Sequence, residues 1–113
     1  MSDCLFCRII NGEIPSDIVY QDETVVAFRD VHPQAPVHVL VVPRRHVPDI
    51  LDAGASDANL LVGVQKAVCT LASQLHLEKG FRLVINKGIE GGQTVSHLHF
   101  HLLGQRQMLW PPG

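Results

Sequence analysis

The chain has 113 residues, 46% of them hydrophobic and 18% charged, and its formal net charge at pH 7 is −2. This length and composition predict a single domain, residues 1–113, whose core needs no disulfides. The lack of a basic excess argues against a nucleic-acid polymer as the main ligand, whereas a small phosphate compound is compatible because backbone amides bind phosphate without net positive charge.

The first half of the chain is predicted to consist of short elements separated by turns. Residues 4–10 are largely apolar and are followed by Asn11-Gly12, which predicts a short helix with a C-cap. Asp22-Glu23 between two β-rich runs predicts a hairpin, and Pro43 stops the next strand. A second short helix is expected to begin at Pro48. The strands predicted over the whole chain are residues 18–20, 24–28, 37–42, 81–85 and 97–103.

One long helix is predicted in the second half. Ser56 is the expected N-cap, with Asp57 in the first turn, and the helix ends before Gly80. Its apolar side consists of residues at helical spacing, namely Leu60, Val64, Ala67, Val68, Leu71 and Leu75. Five strands, this helix, the short N-terminal helix and hairpin-length connections predict an α+β fold with a mainly antiparallel sheet.

The last predicted strand carries the main functional signal. His97, His99 and His101 alternate in it with apolar residues. Because strand side chains alternate between faces, the three imidazoles are expected on one face and the apolar residues in the core. Packing alone does not explain three histidines on one face. Two chemical interpretations stay open: the imidazoles share a metal ion, or one of them acts as a nucleophile.

A glycine-rich segment, residues 86–94, precedes these histidines. Gly91-Gly92-Gln93-Thr94 supplies backbone amides and one hydroxyl, and glycines allow the close approach of an anion. The pattern therefore predicts a loop that holds a phosphoryl group beside an imidazole.

Residues 91–103 resemble the histidine-triad signature, in which histidines alternate with apolar residues. Residues 104–113, GQRQMLWPPG, resemble the C-terminus of the HINT-like nucleotide-binding branch of that family, and residues 30–38 and 42–46 also match. The resemblance covers nearly the whole chain. It implies a homodimer with a purine nucleotide site on each subunit. It also implies hydrolysis of nucleoside 5′-phosphoramidates to a nucleoside monophosphate and an amine, without an organic cofactor.

The resemblance implies roles for individual residues. His99 is expected to be the nucleophile that forms a nucleotidyl-histidine intermediate, His101 to assist phosphate binding or proton transfer, and His38 to support the cluster. Asp30 is expected to bind the ribose hydroxyls, and Trp110 to reach the active site of the partner subunit. The remaining expected nucleotide contacts are Leu5, Phe6, Ile9, Phe28 and Val31 on the base side and Asn86, Gly92, Gln93 and Thr94 on the phosphate side.

The N-terminal cysteines have the spacing of a zinc or redox pair. Alone, the Cys4-x-x-Cys7 pattern is a weak signal, and a redox pair or two buried thiols are alternatives. The resemblance implies a structural zinc ion held by these cysteines with His46 and His97. Three cysteines and a start without a signal-peptide pattern predict a cytoplasmic location. No apolar run approaches the about 20 residues of a membrane helix, so no membrane partner is expected.

Three other functions are compatible with the sequence. One is hydrolysis of dinucleoside polyphosphates, which the C-terminal segment disfavours. Another is a nucleotide-binding regulatory protein with little turnover. The third is a zinc hydrolase whose ligands are His97, His99 and His101. Arg29 and Leu109 depart from the family pattern, and both are expected to influence the base or the leaving group that is accepted.

Overall fold

The computed structural model describes residues 3–53 and 57–113. Within these ranges the chain forms a five-stranded sheet in the order β1-β2-β3-β5-β4, with every neighbouring pair antiparallel. The strands are β1 (Ile18–Gln21), β2 (Val25–Arg29), β3 (Val37–Pro43), β4 (Phe81–Ile85) and β5 (Phe100–Gly104). The predicted antiparallel α+β fold is confirmed.

Four helices lie in the described part of the chain: α1 (Leu5–Ile10), α2 (Ile50–Ala53), α3 (Ala58–Gln74) and α4 (Gly88–Gly91). The short N-terminal helix and the long helix were both predicted. The N-cap of α3 is Asp57, whose carboxylate accepts a hydrogen bond from the Leu60 amide. Ser56, the expected N-cap, lies outside the described residues. None of the helices in these ranges combines the length and apolar character that crossing a bilayer requires.

The segment 86–94, predicted as a loop, contains the single helical turn α4. Gly88 and Gly92 bound this turn with φ angles of 74° and 78°. Such positive values are readily adopted only by glycine, so the glycine-rich composition makes a tight turn rather than an open loop.

The sheet separates two cores. The larger core lies under α3, which buries Leu60, Val64, Ala67, Val68 and Leu71 against the sheet. Each fully buried valine or leucine contributes roughly 1.5–3 kcal/mol. Burial of these side chains therefore holds α3 against the sheet. The smaller core lies on the opposite face, where α1 packs against β2 and β3; it contains Phe6, Ile9, Val26, Phe28, Leu40 and Val42.

The last strand starts later than predicted. Residues 97–103 were expected to form it, but β5 begins at Phe100. The opposing strand β3 ends at Pro43, which has no amide to donate, and the Pro43 carbonyl lies 2.8 Å from His97 Nε2. Leu98 still points into the larger core, as the alternation predicts. The ladder therefore ends early while the alternation of side chains continues.

β4 lies at the edge of the sheet and presents apolar side chains. Phe81, Leu83 and Ile85 are 38–45% exposed. Leu83 and Ile85 pair with Leu102 and Phe100, which belong to the larger core, so these side chains extend the apolar face beyond the part that α3 covers.

Candidate functional site

The triad histidines lie on the face of the sheet opposite α3. Leu98 between the first two is 1% exposed in the larger core, so His97 and His99 point the other way. Phe6 of α1 contacts both rings edge-on, with ring centroids 5.8 Å from His97 and 5.1 Å from His99. The His99 and His101 rings are 5.0 Å apart. Helix α1 and the end of the sheet thus hold the histidines in one cluster.

His99 is 6% exposed and is oriented by one hydrogen bond. Its Nδ1 lies 2.7 Å from the backbone carbonyl oxygen of His97. Because a carbonyl oxygen only accepts, Nδ1 must donate its hydrogen. The other nitrogen of the neutral ring, Nε2, then carries a lone pair, which is the state required of a nucleophile.

His38 and His101 form a hydrogen-bonded pair across β3 and β5. The Gln34 amide donates to His38 Nδ1 at 3.0 Å, so neutral His38 carries its hydrogen on Nε2. That Nε2 lies 2.9 Å from His101 Nδ1. His101 Nδ1 therefore accepts, and the hydrogen of neutral His101 is on Nε2. The two catalytic candidates have opposite tautomers: His99 presents a lone pair at Nε2, and His101 presents a hydrogen there.

Burial keeps this pair neutral near pH 7. It lowers the pKa of His38, although the Asp30 carboxylate opposes the shift. Burial and then the nearby rings of His99 and His38 lower the pKa of His101 to about 4, again against the effect of Asp30. The tautomers deduced from the hydrogen bonds are therefore those of the ring at neutral pH.

Asp30 follows β2 and lies beside this pair. Its Oδ1 accepts from the His32 amide at 2.8 Å, and its Oδ2 lies 3.5 Å from His38 Nε2. The side chain remains 20% exposed. Asp30 is thus fixed in place and keeps surface with which a carboxylate accepts hydrogen bonds from hydroxyl groups.

A second cluster, which we call the Cys/His cluster, joins Cys4, Cys7, His46 and His97, whose ligand atoms all lie within 4.8 Å of one another. His97 Nδ1 is 3.3 Å from Cys4 Sγ, 3.5 Å from Cys7 Sγ and 3.2 Å from His46 Nδ1. Cys7 Sγ is 3.3 Å from His46 Nδ1. Tetrahedral zinc with usual bond lengths separates sulfur from nitrogen by about 3.5 Å and two nitrogens by about 3.3 Å. The four residues therefore fit a zinc ion.

The environment of His97 also fits a metal ligand. Its Nε2 donates to the Pro43 carbonyl, which leaves the Nδ1 lone pair directed at the cysteines. Burial lowers the pKa of His97, although this hydrogen bond opposes the shift, so the ring is neutral as ligation requires.

The structure does not support the hypothesis that the triad itself shares a metal. The described residues contain two groups able to hold an ion, the Cys/His cluster and Asp30 with His38 and His101. His97 and His101 thus belong to different groups, and His99 to neither. Hydrogen bonds turn the three rings in different directions, so each ring faces different groups.

The glycine-rich segment is tied to the loop after β3. The Gln93 side-chain amide donates to the Pro48 carbonyl at 2.8 Å, and its oxygen accepts from the Gly88 amide at 3.2 Å. Lys87 Nζ lies 3.4 Å from Asp49 Oδ2. The Gln93 side chain thus shapes the segment, and its expected contact with phosphate stays a prediction. Asn86 immediately precedes Lys87, and Gly92 and Thr94 flank Gln93.

The residues expected around the base differ in accessibility. Leu5 is 45% exposed and Val31 is 83% exposed. The three residues Phe6, Ile9 and Phe28 are 3–8% exposed in the smaller core. Among these residues, only Leu5 and Val31 offer apolar surface that is accessible from solvent.

Arg29 and Trp110 both lie away from the smaller core. Arg29 lies 3.2 Å from Asp17 and follows Phe28 on β2, so its side chain points away from the smaller core. Any influence of Arg29 on the base is therefore indirect. Trp110 is 83% exposed at the end of the C-terminal segment.

Two concavities differ in their relation to the histidines. A cavity of about 650 Å³ lies between the end of α3 and the C-terminal segment, and its lining includes none of the triad. A second, of about 440 Å³, lies between the Cys/His cluster and the glycine-rich segment and is lined by Cys4, Leu5, His46, Thr94 and Val95 among others. Neither lining includes a triad histidine, but the smaller concavity adjoins the Cys/His cluster, to which His97 belongs. We therefore define the candidate site by the histidines themselves, with the smaller concavity beside them.

Comparison with known proteins agrees with this arrangement. Residues 11–108 match the family described as HIT domain. The chain belongs to the HIT family. An uncharacterized HIT-like protein of Synechococcus elongatus is 52% identical over 98% of this chain and 97% of that protein. A HIT family hydrolase from Legionella pneumophila is 48% identical, with a TM-score of 0.95 over 98% of this chain and 100% of the other. A HIT family hydrolase from Clostridium thermocellum is 46% identical, with a TM-score of 0.92 over 96% of this chain and 95% of the other.

This HIT protein contains one functional contact that the sequence did not indicate. The Gln34 amide fixes the tautomer of His38 through a backbone group. Pro33 and Pro36 restrict φ at two positions of the surrounding loop, but no side-chain pattern identifies which amide will face the ring. HIT family proteins in general bind nucleotides.

Proposed function

We propose that this HIT protein is a hydrolase that cleaves the P–N bond of purine nucleoside 5′-phosphoramidates. The observation that carries the proposal is the hydrogen bond from His99 Nδ1 to the His97 carbonyl, which leaves the Nε2 lone pair available. The similar proteins described as HIT family hydrolases support the reaction class.

The reaction proceeds in two steps. In the first, the His99 Nε2 lone pair forms a bond to phosphorus while the P–N bond of the substrate breaks. The departing nitrogen takes one proton from solvent and leaves as the amine. In the second step a water oxygen bonds to phosphorus, the bond from Nε2 to phosphorus breaks, and the water gives its proton to solvent. The product is a nucleoside monophosphate and His99 is regenerated.

The other site residues hold the substrate during these steps. His101 Nε2–H donates to a phosphoryl oxygen, since the His38 contact directs its hydrogen to that nitrogen. Amides of the glycine-rich segment, with Gly92, Thr94 and Asn86, hold the remaining phosphoryl oxygens. Asp30 accepts from the ribose hydroxyls. The base lies on Leu5 and Val31.

We also propose that Cys4, Cys7, His46 and His97 hold a structural zinc ion. Their distances fit tetrahedral zinc, and the donor set of two thiolates and two imidazoles is one that zinc prefers. When bound, the ion fastens α1 to the end of the sheet and takes no part in the reaction.

A homodimer is proposed from the edge strand β4. Phe81, Leu83 and Ile85 present apolar surface on an edge strand, a feature that natural proteins usually cover. A second copy pairing along β4 would cover it and bring Trp110 of each chain toward the other active site. Leu83→Lys is expected to convert a dimer to a monomer in sedimentation experiments, while Arg8→Lys, at a site distant from β4, leaves the dimer intact.

Turnover of adenosine 5′-phosphoramidate tests the proposed function. We expect release of adenosine monophosphate and ammonia by the native chain and loss of turnover in His99→Ala with nucleotide binding retained. His76→Asn is the matched control, because His76 pairs with Glu78 at the far end of α3 and asparagine tolerates its positive φ. Cleavage of a diadenosine polyphosphate in preference to the phosphoramidate, or binding of nucleotide without turnover of either, would contradict the proposal.

A further inference from the structure

The C-terminal segment is connected to the histidine cluster by a chain of hydrogen bonds. Arg106 Nε donates to the Gln34 carbonyl at 2.8 Å. The Gln34 amide donates to His38 Nδ1 at 3.0 Å, and His38 Nε2 lies 2.9 Å from His101 Nδ1. We propose that Arg106 is a positioning residue that, through Gln34 and His38, keeps the hydrogen of His101 on Nε2. The inference rests on the proposed function, in which that hydrogen faces the phosphoryl group.

The need for such support follows from the loop that carries Gln34. Residues 30–36 connect β2 to β3, and prolines at 33 and 36 supply no amide hydrogens to stabilise it. Gln34 is exposed, and its side chain donates to the His32 carbonyl within the same loop. The guanidinium of Arg106 therefore ties this loop to a different part of the chain by a charge-assisted hydrogen bond.

Arg106 makes a second hydrogen bond within its own C-terminal segment. While Nε donates to the Gln34 carbonyl, Nη1 donates to the Gln107 carbonyl at 3.3 Å. A guanidinium has five donors in a fixed plane, so it bridges two carbonyls with one orientation. A lysine ammonium keeps the charge but not this planar geometry.

Loss of this bridge would act on the tautomers rather than on the charge of the site. If the Gln34 amide moves away, His38 Nδ1 is free to carry the hydrogen, and His38 Nε2 then accepts instead of donating. His101 would in turn donate from Nδ1, and its Nε2 would present a lone pair to the phosphoryl group. Two electron-rich groups would face each other where the native site has a donor and an acceptor.

The direct test is nitrogen-15 NMR of the imidazole rings, which distinguishes a nitrogen that carries hydrogen from one that does not. In the native, ligand-free protein near pH 7.5 we expect hydrogen on Nε2 of both His38 and His101. In Arg106→Ala, the nitrogen-15 chemical shifts of Nδ1 and Nε2 in His38 and in His101 are expected to move toward each other, because each ring then exchanges between its two tautomers. Arg106→Lys is expected to give a smaller change in the same direction, and it carries the test if Arg106→Ala does not fold. Native shifts in the folded variants would overturn the inference.

The matched control is Arg82→Ala. Arg82 of β4 donates to the Leu109 carbonyl at 2.9 Å, so it fixes the other end of the same C-terminal segment without touching Gln34. The ring shifts of this variant are expected to match the native ones. The same averaging in Arg82→Ala would show that general release of the segment, not the Arg106 contact, moves the tautomers, and would overturn the inference.

Kinetics supply an independent readout. Arg106→Ala is expected to lower kcat about tenfold with KM nearly unchanged, since one transition-state donor is weakened and ground-state contacts remain. Added methylguanidinium is expected to restore part of kcat, because Arg106 is exposed and its place is accessible. A rise in KM alone, or no rescue, would contradict the positioning role.

The two proposals fail in different ways. Suppose that the native protein cleaves no phosphoramidate but Arg106→Ala gives averaged nitrogen-15 shifts. That result would support the positioning of His101 and refute the proposed function. Native ring shifts in a variant of an active phosphoramidase would refute the positioning role and leave the proposed function standing.

Discussion

The depressed pKa of His101 makes stability depend on pH in a measurable way. Burial, with the neighbouring rings of His99 and His38, lowers this pKa to about 4, from 6.5 in an unfolded chain. Between these values the unfolded chain binds more protons than the folded one, so acid favours unfolding. The stabilising contribution is complete above pH 6.5 and is lost as the pH falls toward 4. The difference in pKa corresponds to about 3 kcal/mol, of which about 2 kcal/mol is lost by pH 5.

His101→Asn isolates this contribution. The asparagine oxygen replaces Nδ1 as an acceptor for His38 Nε2, and the variant has no group at position 101 that titrates between pH 4 and 7. Urea unfolding followed by circular dichroism, at fixed protein concentration, gives the free energy of unfolding of both proteins. The advantage of the native protein over the variant is expected to shrink by about 2 kcal/mol between pH 7.5 and pH 5. Every other group of the chain is present in both proteins. A difference that does not change with pH would refute the reasoning.

Three further predictions test other parts of the structure. A Cβ at Gly63 would lie 2.5 Å from Thr24 Cγ2 and 2.9 Å from Thr24 Cβ, so Gly63→Ala is expected to lower the free energy of unfolding by about 1–3 kcal/mol. A Cβ at Gly104 would clash only with a terminal carbon of the longer Leu77 side chain, so Gly104→Ala is expected to cost less. Equal urea midpoints for the two variants would contradict this packing. Cys7→Ser is expected to abolish bound zinc in metal analysis and to remove the effect of a chelator on the melting temperature, whereas a chelator-sensitive variant would count against the site. Asp30→Asn is expected to weaken binding of adenosine monophosphate about tenfold or more in calorimetry without a change in melting temperature, because asparagine keeps the acceptor for the His32 amide but loses the charge.

Local patterns predicted most of the fold because each one had a local physical cause. The Asn11-Gly12 pair ends α1 since glycine adopts the positive φ that follows a helix. The residues predicted to line one side of α3 are the ones that it buries against the sheet. Strand β4 was predicted with its observed ends, residues 81–85.

Errors occurred where distant parts of the chain meet and where the local sequence allows more than one conformation. The start of β5 is set by Pro43, a residue of another strand, and the sequence around His97 carries no sign of it. The helical turn α4 depends on φ angles at Gly88 and Gly92, which glycine permits but does not require. The N-cap of α3 is Asp57, one residue after the expected position.

The sequence predicted that the triad histidines share one face, but it did not predict how their rings are oriented. Alternation alone places the triad on one face, and that placement is confirmed by Leu98 in the core. Which nitrogen of each ring carries hydrogen depends on backbone groups, the His97 carbonyl for His99 and the Gln34 amide for His38. Backbone groups are present at every residue, so only the folded structure shows which of them face a ring.

The central claim is that His99 Nε2 forms a transient bond to phosphorus. Rapid quenching of the native protein during turnover of adenosine 5′-phosphoramidate, followed by mass spectrometry of the intact chain and its peptides, tests this claim most directly. We predict a species heavier by one adenylyl group, attached to His99, that forms and decays within a turnover. Turnover without any such species, or an adduct on a different residue, would contradict the account.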